Sequence, residues 1–319
     1  MNVGEMTARL AGRPARRALS GGVTAIAVAA VLVIATTGSE HEVYIGAIAA
    51  SYVVSMVGFN LGFGVAKMFA LAHVAFFGVG AYTYTYAVEE LGQPYWLAFI
   101  AATAAGMVVA ALVSLVAWRV GELMLALVTF AVASLAQIVF QRAEQFTGGN
   151  VGASVGPIDG LDVQGQFLMT AAIAAAAVAA AVVLVRTRVG RRWIAMGDSE
   201  PAASSAGIDP RREKVLAFAA SGAFGGLAGA LYMQTVQYVT PESFGFAALT
   251  LLLVAVTVGG PGSPLGTAVA IVAVVVVNEQ LRSYPSVQAI LYGAALLLVL
   301  AFRGRHWFGR LAQRAGRTP

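Results

Sequence analysis

Few side chains in this sequence are of a type and spacing that could act on a bound molecule, and they fall in three places. His73 stands early in the apolar stretch Met68–Val88, with Asn60 in the apolar stretch before it. An imidazole in such surroundings must be hydrogen-bonded, so His73 either lines a polar path or links two helices, and Asn60 is its natural partner. No metal site is expected, because the other histidines, His41 and His306, fall at opposite ends of the apolar spans. Gly152-Ala153-Ser154-Val155-Gly156 matches the G-x-S-x-G of a nucleophile elbow. That elbow needs a strand before it, a helix after it, and Asp and His within reach. Ser154 instead sits in the glycine-rich loop Gln141–Gln166, and the next histidine along the chain is His306. The third place is Arg186–Lys214, a polar segment with seven cations and the acids Asp198, Glu200, Asp209 and Glu213. The sequence contains no G-x-x-x-x-G-K-[ST] phosphate loop and no H-E-x-x-H, and it has no cysteine. ATP hydrolysis, zinc hydrolysis, disulfides and thiolate chemistry are thereby set aside, and no cofactor is expected.

The elements that must position these residues are read from hydropathy. With 59% hydrophobic and 11% charged residues over 319, and a mean hydropathy of +0.79, the chain has too little polar surface to cover a soluble globule and is read as an integral membrane protein. Its 36 glycines suit helices that approach closely in lipid. Apolar runs occur at Gly22–Thr37, Val43–Ala66, Met68–Val88, Tyr95–Trp118, Gly121–Phe140, Phe167–Val185, Val215–Val236, Phe244–Val258, Leu265–Asn278 and Val287–Phe302. Most approach the ~20 residues that cross ~30 Å of hydrocarbon. Gly259-Gly260-Pro261-Gly262-Ser263-Pro264 separates the eighth and ninth, which are short and read either as two tilted spans or as a re-entrant pair. The expected fold is all-α and polytopic, with about ten transmembrane or re-entrant helices.

Charge sets the orientation. With the amino terminus in the cytoplasm, 18 of the 20 Lys and Arg fall inside, leaving Arg142 and Arg282 outside, and both termini are cytoplasmic. Glu40, Glu42, Glu89, Glu90, Glu144, Asp159, Asp162 and Glu242 collect on the other side. The expected organisation is a basic cytoplasmic segment over 1–20, a membrane domain over 21–303 with a cytoplasmic loop at 186–214 and an external loop at 141–166, and a basic cytoplasmic tail over 304–319. The first apolar run follows four arginines like a signal peptide. Ile34-Ala35-Thr36-Thr37 makes a poor cleavage site, however, so a retained span is expected. Trp307 and Phe308 among arginines read as an interfacial anchor in the lipid, and Tyr82, Tyr84 and Tyr86 as an aromatic belt. The basic ends are not read as binding nucleic acid. Gly78, Gly80, and the pairs Gly222/Gly226 and Gly225/Gly229 read as close helix contacts that either pack or slide.

Five motifs in order carry a family resemblance. Asn60-Leu61 with Gly64, followed by Leu71-Ala72-His73-Val74-Ala75-Phe76-Phe77-Gly78-Val79-Gly80-Ala81-Tyr82, resembles the N-L-x-x-G and S-L-G-H-A-A-F-F-G-I-G-A-Y signature of permease subunits of branched-chain amino-acid ABC importers. Thr147-Gly148-Gly149-Asn150-Val151-Gly152 is similar to their T-G-G-x-x-G, Pro241-Glu242-Ser243-Phe244 to their P-E-S-F, and Gly259–Gly266 to their G-G-x-G-S-x-x-G. Arg188, Gly190, Arg191, Ala195, Glu200, Ala202, Ala203, Gly207 and Ile208 follow their cytoplasmic R-F-G-R…A…E-x-A-A-x-x-x-G-I segment. The chain departs at Ala70, where Ser is usual, at Ala72, where Gly is, at Lys67, where a small residue is common, and at Gly197, where Arg is.

The resemblance implies the His-containing permease type, in the bacterial cytoplasmic membrane. It would pair with a second, related permease, two cytoplasmic ATP-binding subunits and an external solute-binding protein, and would itself not be an enzyme. Asn60, His73, Phe76, Phe77, Gly78, Gly80 and Tyr82 are then candidate substrate-pathway residues. Trp193, Ala195, Glu200, Ala202, Ala203, Gly207 and Ile208 would form the coupling contact with the ATPase. The residues themselves suggest two short helical pieces there, Arg191–Met196 and Glu200–Ile208, broken at Gly197 and Pro201, with small side chains that fit a groove. The loop at 141–166 reads as a docking or lid segment for the binding protein. The alternative reading is a stand-alone secondary transporter or channel for small polar solutes. It would require intramembrane carboxylates, and Glu122 and Glu279 stand only at span ends.

Overall fold

The structure, a computed structural model, describes residues 37–117 and 120–281, together with positions 290, 293 and 294. The apolar runs at either end of the chain, the basic segment at 1–20 and the tail at 304–319 lie essentially outside the described residues. Within them, each of the eight central runs is helical, and the all-α polytopic fold class holds.

Helix α1 (Glu40–Asn60) starts at a capping box in which Ser39 and Glu42 each satisfy the other's backbone N–H. It continues into a π-helical turn, Leu61–Val65. Helix α2 (His73–Thr85) is extended by a second π-helical turn, Tyr86–Glu90. Helices α3 (Tyr95–Ala117) and α4 (Glu122–Arg142) follow, then the short α5 (Glu144–Thr147). Helix α6 (Val163–Arg186) leads into α7 (Arg188–Asp198) and α8 (Glu200–Ser205), and α9 (Pro210–Val236) returns. Helices α10 (Phe246–Gly259) and α11 (Pro264–Gln280) form a closing hairpin. Two-residue strands β1 (Ala153–Ser154) and β2 (Tyr238–Val239) pair antiparallel, Ala153 opposite Val239 and Ser154 opposite Tyr238.

Among the described residues, six segments are long and apolar enough to cross a membrane: Glu40–Val65, Tyr95–Val116, Met124–Arg142, Val163–Arg186, Pro210–Val236 and Pro241–Gly259. Helix α9, at 1.5 Å per residue, runs ~40 Å from α8 to β2. It thereby separates a basic end, holding α7 and α8, from a strand end, holding β1, β2 and α5. Lys67, Arg186, Arg188, Arg191, Arg192, Arg211, Arg212 and Lys214 lie at the basic end, and Arg142 alone among the described cations lies at the other.

Helix α9 packs on α3, α2 and α1, and α1 packs in turn on α6 and α11. Small residues make the first of these contacts possible. A Cβ on Gly226 would strike the Ala102 carbonyl of α3, and one on Gly229 would strike the Phe77 carbonyl of α2, so the two overlapping glycine pairs face different helices. Outward faces of α3 and α4 carry Ile100, Val108, Leu112, Leu127, Leu135 and Ile138, all exposed. Apolar surface of this extent suits lipid or another apolar chain, not water.

The aromatic-belt expectation does not hold for Tyr82 and Tyr84. Both are buried, Tyr82 against Phe140 and Phe244, and Tyr84 donating to Gln234 Oε1. The segment after α4 folds over this end of α2. Its Gly156 N–H donates to Glu89 (2.9 Å), and its strand pairs with β2, so the tyrosines lie beneath protein.

Candidate functional site

His73 opens α2 and is wholly buried. Its Nε2 lies 3.2 Å from Ser55 Oγ on α1, and its Nδ1 lies 3.0 Å from Ser221 Oγ on α9. A neutral imidazole has one donor and one acceptor nitrogen, and serine hydroxyls serve either, so the ring is fully satisfied as a link among three helices. The rings of Phe59 and Phe76 pack beside it, and the glycine faces at Gly58 and Gly225 leave it room. Asn60 is not its partner. The Asn60 Oδ1 accepts from the backbone N–H of Gly262 (2.8 Å), 202 residues further along the chain. Side-chain chemistry alone could not foresee a partner that is a backbone group of a turn.

That contact joins two of the sequence motifs. Gly260-Pro261-Gly262 turns the chain between α10 and α11, Ser263 caps α11 by accepting from Gly266 N–H, and the tip of the turn sits against Asn60 and Gly64. Both helices of the hairpin therefore run between the strand end and the level of the end of α1.

Two residues past the end of the π-helical turn stands Lys67, whose backbone is left-handed (φ 52°). Lys67 Nζ pairs with Asp198 of α7 at 2.5 Å. A Cβ on Gly197 would lie 2.9 Å from the Ala66 carbonyl and 3.0 Å from Lys67 Cγ. Gly197 does not break the helix as expected. It lies within α7, where the absence of a Cβ lets the helix press on this carbonyl, and the break falls two residues later, at Ser199.

Helices α7 and α8 are defined by their caps. Thr187 accepts from Gly190 N–H to start α7, and Ser199 accepts from Ala202 N–H to start α8, with Pro201 inside the first turn, where a missing N–H is harmless. Helix α8 ends in a Schellman motif. Ile208 N–H reaches the Ala203 carbonyl (3.1 Å) and Gly207 N–H the Ser204 carbonyl (3.0 Å), which requires the left-handed φ of 80° at Gly207. Asp209 then caps α9. Trp193, Met196 and Ala203 point inward and are buried, and Ala195 and Ile208 are half-buried. Glu200, Ala202 and Gly207 are exposed. Two ion pairs fix the pair of helices to α9: Glu200 with Lys214 at 2.9 Å, and Arg192 with Glu213 at 3.3 Å. Lys214 and Glu213 are nearly buried, so each needs its partner.

At the strand end, a cleft of about 440 Å³ opens between α1, α9 and α11. Tyr44, Ile48 and Tyr52 line it from α1, Tyr232 and Val236 from α9, and Val275, Asn278 and Glu279 from α11. Tyr238, Thr240 and Ser243 close its rim. The A-F-F-G-x-G-A-Y string does not line it. Phe77 packs beneath, 5.6 Å from the Tyr52 ring and 5.4 Å from that of Tyr232. Gly78 faces Phe140 and Phe244, and Gly80 faces Gly226. The stripe Tyr44, Ile48, Tyr52, Ser55, spaced by four, four and three, was the available sequence signal for the cleft, and it continues to the His73 link.

The Thr147–Gly152 loop is ordered by its own chemistry. Thr147 Oγ1 donates to the Phe140 carbonyl (2.6 Å) and accepts from Gly149 N–H (3.1 Å). Gly148 and Gly152 take left-handed conformations that bring the chain back onto Val239. Ser154 lies in β1, paired with Tyr238, rather than on a strand-to-helix elbow.

Comparison with known proteins gives a consistent result. A family model described as the permease component of branched-chain amino acid transport systems matches residues 43–300. The chain is 28% identical over 298 residues to the high-affinity branched-chain amino acid transport system permease protein LivM of Escherichia coli (strain K12), over 83% of this chain and 69% of that protein. It is 29% identical over 297 residues to the LivM protein of Salmonella typhimurium, with the same coverage. No solved structure matches.

Proposed function

The chain belongs to the permease family of branched-chain amino acid transport systems, and from that membership we propose that it forms part of the path by which such amino acids enter a bacterial cell through the cytoplasmic membrane. It works with a second, related permease, two cytoplasmic ATP-binding subunits and an external solute-binding protein. The basic end faces the cytoplasm. The strong excess of Lys and Arg at that end supports this orientation, and the same rule puts both termini inside.

The α7–α8 pair is the coupling contact with an ATP-binding subunit. The observation that carries this is its construction: exposed Glu200, Ala202 and Gly207 offer a low-relief surface, while Trp193 and Ala203 anchor it from below and two ion pairs hold it to α9. Closure of the ATPases would push this rigid piece. The Lys67–Asp198 contact and the π-helical turn would carry the displacement to Asn60 and the α10–α11 hairpin. Asn60, His73, Phe76, Phe77, Gly78, Gly80 and Tyr82 shape the path by setting how α1, α2 and α9 pack.

The test is co-purification with the ATP-binding subunit. Glu200→Arg reverses one ion pair, and Gly207→Val strains a left-handed position by about 1–2 kcal/mol. Each is expected to lower ATPase capture at least tenfold while membrane insertion is retained. Unchanged capture after both substitutions would refute the coupling role.

A further inference from the structure

Two buried polar atoms at the basic end have no hydrogen-bond partner, and they are chemically complementary. The indole Nε1–H of Trp193 on α7 can only donate, and Oε2 of the Glu213 carboxylate on α9 can only accept. Both residues are enclosed, at 2% and 3% exposure. Arg192, next to Trp193 in the sequence, holds the other carboxylate oxygen of Glu213 at 3.3 Å, so the unmet donor and the unmet acceptor belong to the two helices that this ion pair joins. A buried polar group without a partner carries the cost of its desolvation uncompensated. A packing that brought these two together would relieve both costs at once. The contacts of α7 leave room for one. A Cβ on Gly190 would lie 2.5 Å from Val185 Cα, and one on Gly197 2.9 Å from the Ala66 carbonyl, so α7 is keyed to the end of α6 and to the end of α1 by backbone contact. Against α9 the ion pairs run instead through long side chains, and Arg192 and Glu200 are each about half exposed. Such pairs stay closed through a small displacement, so the seam between α7 and α9 is the one with play.

We propose that α7 has a second seat against α9, taken when the ATP-binding subunits close, in which the Trp193 N–H donates to Glu213 Oε2. The proposal rests on the reading of α7 and α8 as the coupling contact. The two seats differ by one buried hydrogen bond, open in the seat described here and made in the other, and that difference gives the element two discrete arrangements rather than a continuous range. Closure of the ATPases supplies the displacement, and the new bond holds it until they part. Arg192 and Glu200 act as tethers that keep their partners in both seats. Glu213 stands in the first turn of α9, so the second seat is registered on the helix that packs against α1, α2 and α3. Trp193 and Glu213 are positioning residues, and neither touches the solute.

The experiment is a double-mutant cycle on the whole transporter in proteoliposomes: both permeases, the ATP-binding subunits, and the binding protein loaded with labelled leucine. Trp193→Phe keeps an aromatic ring and removes the donor. Glu213→Met keeps the length of the side chain and removes both acceptor oxygens. Each is expected to lower leucine transported per ATP hydrolysed at least about fivefold, with ATPase co-purification retained, and the double variant should lose no more than the worse single one. Melting temperatures without nucleotide should instead fall by amounts that add, because the pair is open in that state. Losses of transport that multiply would overturn the second seat, and so would melting shifts that fail to add, which would mean that the pair is already made at rest. A normal ratio in Trp193→Phe would overturn it as well. Spin labels keep the test decisive if Trp193→Phe does not accumulate. Arg188→Cys on α7 and Arg212→Cys on α9 are both exposed, and the chain has no other cysteine. A non-hydrolysable ATP analogue should bring in a second distance between the labels, and one unchanged distance would overturn the proposal. Undiminished ATPase capture by Glu200→Arg and Gly207→Val would strike the coupling contact itself, and the second seat with it.

Discussion

His73 shows how a single polar residue is afforded inside an apolar bundle: both ring nitrogens are spent on serines from two other helices, so no buried polar atom of the ring is left over. Interhelical hydrogen bonds in membrane proteins are worth on the order of 0.6–2 kcal/mol each, and loss of the ring also leaves a cavity. His73→Ala is therefore expected to lower the melting temperature in detergent by more than Ser55→Ala and Ser221→Ala combined. A normal melting temperature with transport abolished would instead assign His73 a direct role along the path. A second residue-scale relation is the contact between Lys67, in its left-handed turn, and Gly197 of α7. Both partners of the Lys67–Asp198 pair are more than half exposed, so its contribution to stability is small. Its value lies in fixing where α7 sits. Gly197→Arg should therefore uncouple ATP hydrolysis from uptake, and adding Lys67→Gly should not recover coupling, because the Ala66 carbonyl still meets the added carbon; the ratio of ATP hydrolysed to leucine transported reads the outcome.

At the scale of elements, the close approach of α9 to α2 and α3 depends on backbone meeting backbone. Gly226→Ala has no flexible neighbour to displace, since the Ala102 carbonyl and the Gly106 backbone lie against that face. Overpacking of this kind costs about 1–3 kcal/mol or more, so a fall of several degrees in melting temperature is expected. Gly121→Ala, with no described atom within 4 Å of its added carbon, should melt closer to wild type, losing only the small preference of a helix N-cap for glycine over alanine. The helices themselves were legible in the sequence, because a run of apolar residues long enough to span lipid has few other structures available to it. The central runs agree with α1 to α4, α6 and α9 to within a few residues. What was hidden depends on tertiary contact. The break between α7 and α8 was expected at Gly197, where low helix propensity pointed. Packing against Ala66 overrides that propensity, and the cap at Ser199 decides the boundary. Tyr82 and Tyr84 were expected at a lipid interface because they stand near a span end. The folded segment between α4 and α6 covers that end, and nothing in hydropathy reports a cover made of glycine turns.

For the molecule as a whole, the described charges divide along the bundle: eight cations at the basic end against Arg142 at the strand end. The division matters for mechanism, because the proposed coupling surface and the strand-end cleft lie at opposite ends of α9, ~40 Å apart along the helix. A push on α7 and α8 would reach the cleft through α1 and through the α10–α11 hairpin that Asn60 holds. The absence of cysteine makes the orientation directly measurable, since a single introduced thiol is the only one present. Ser204→Cys lies on exposed α8, and Val151→Cys lies in the strand-end loop at 77% exposure. Neither side chain takes part in a buried contact within the chain, so both variants should fold and insert as wild type does. A membrane-impermeant maleimide is expected to label Val151→Cys in intact spheroplasts and Ser204→Cys only in inverted vesicles. Labelling of both from one side would require the α9 span to be re-entrant, which 27 residues of continuous helix do not permit. Labelling with the sides exchanged would put the basic end outside and overturn both the proposed orientation and the coupling role of α7 and α8.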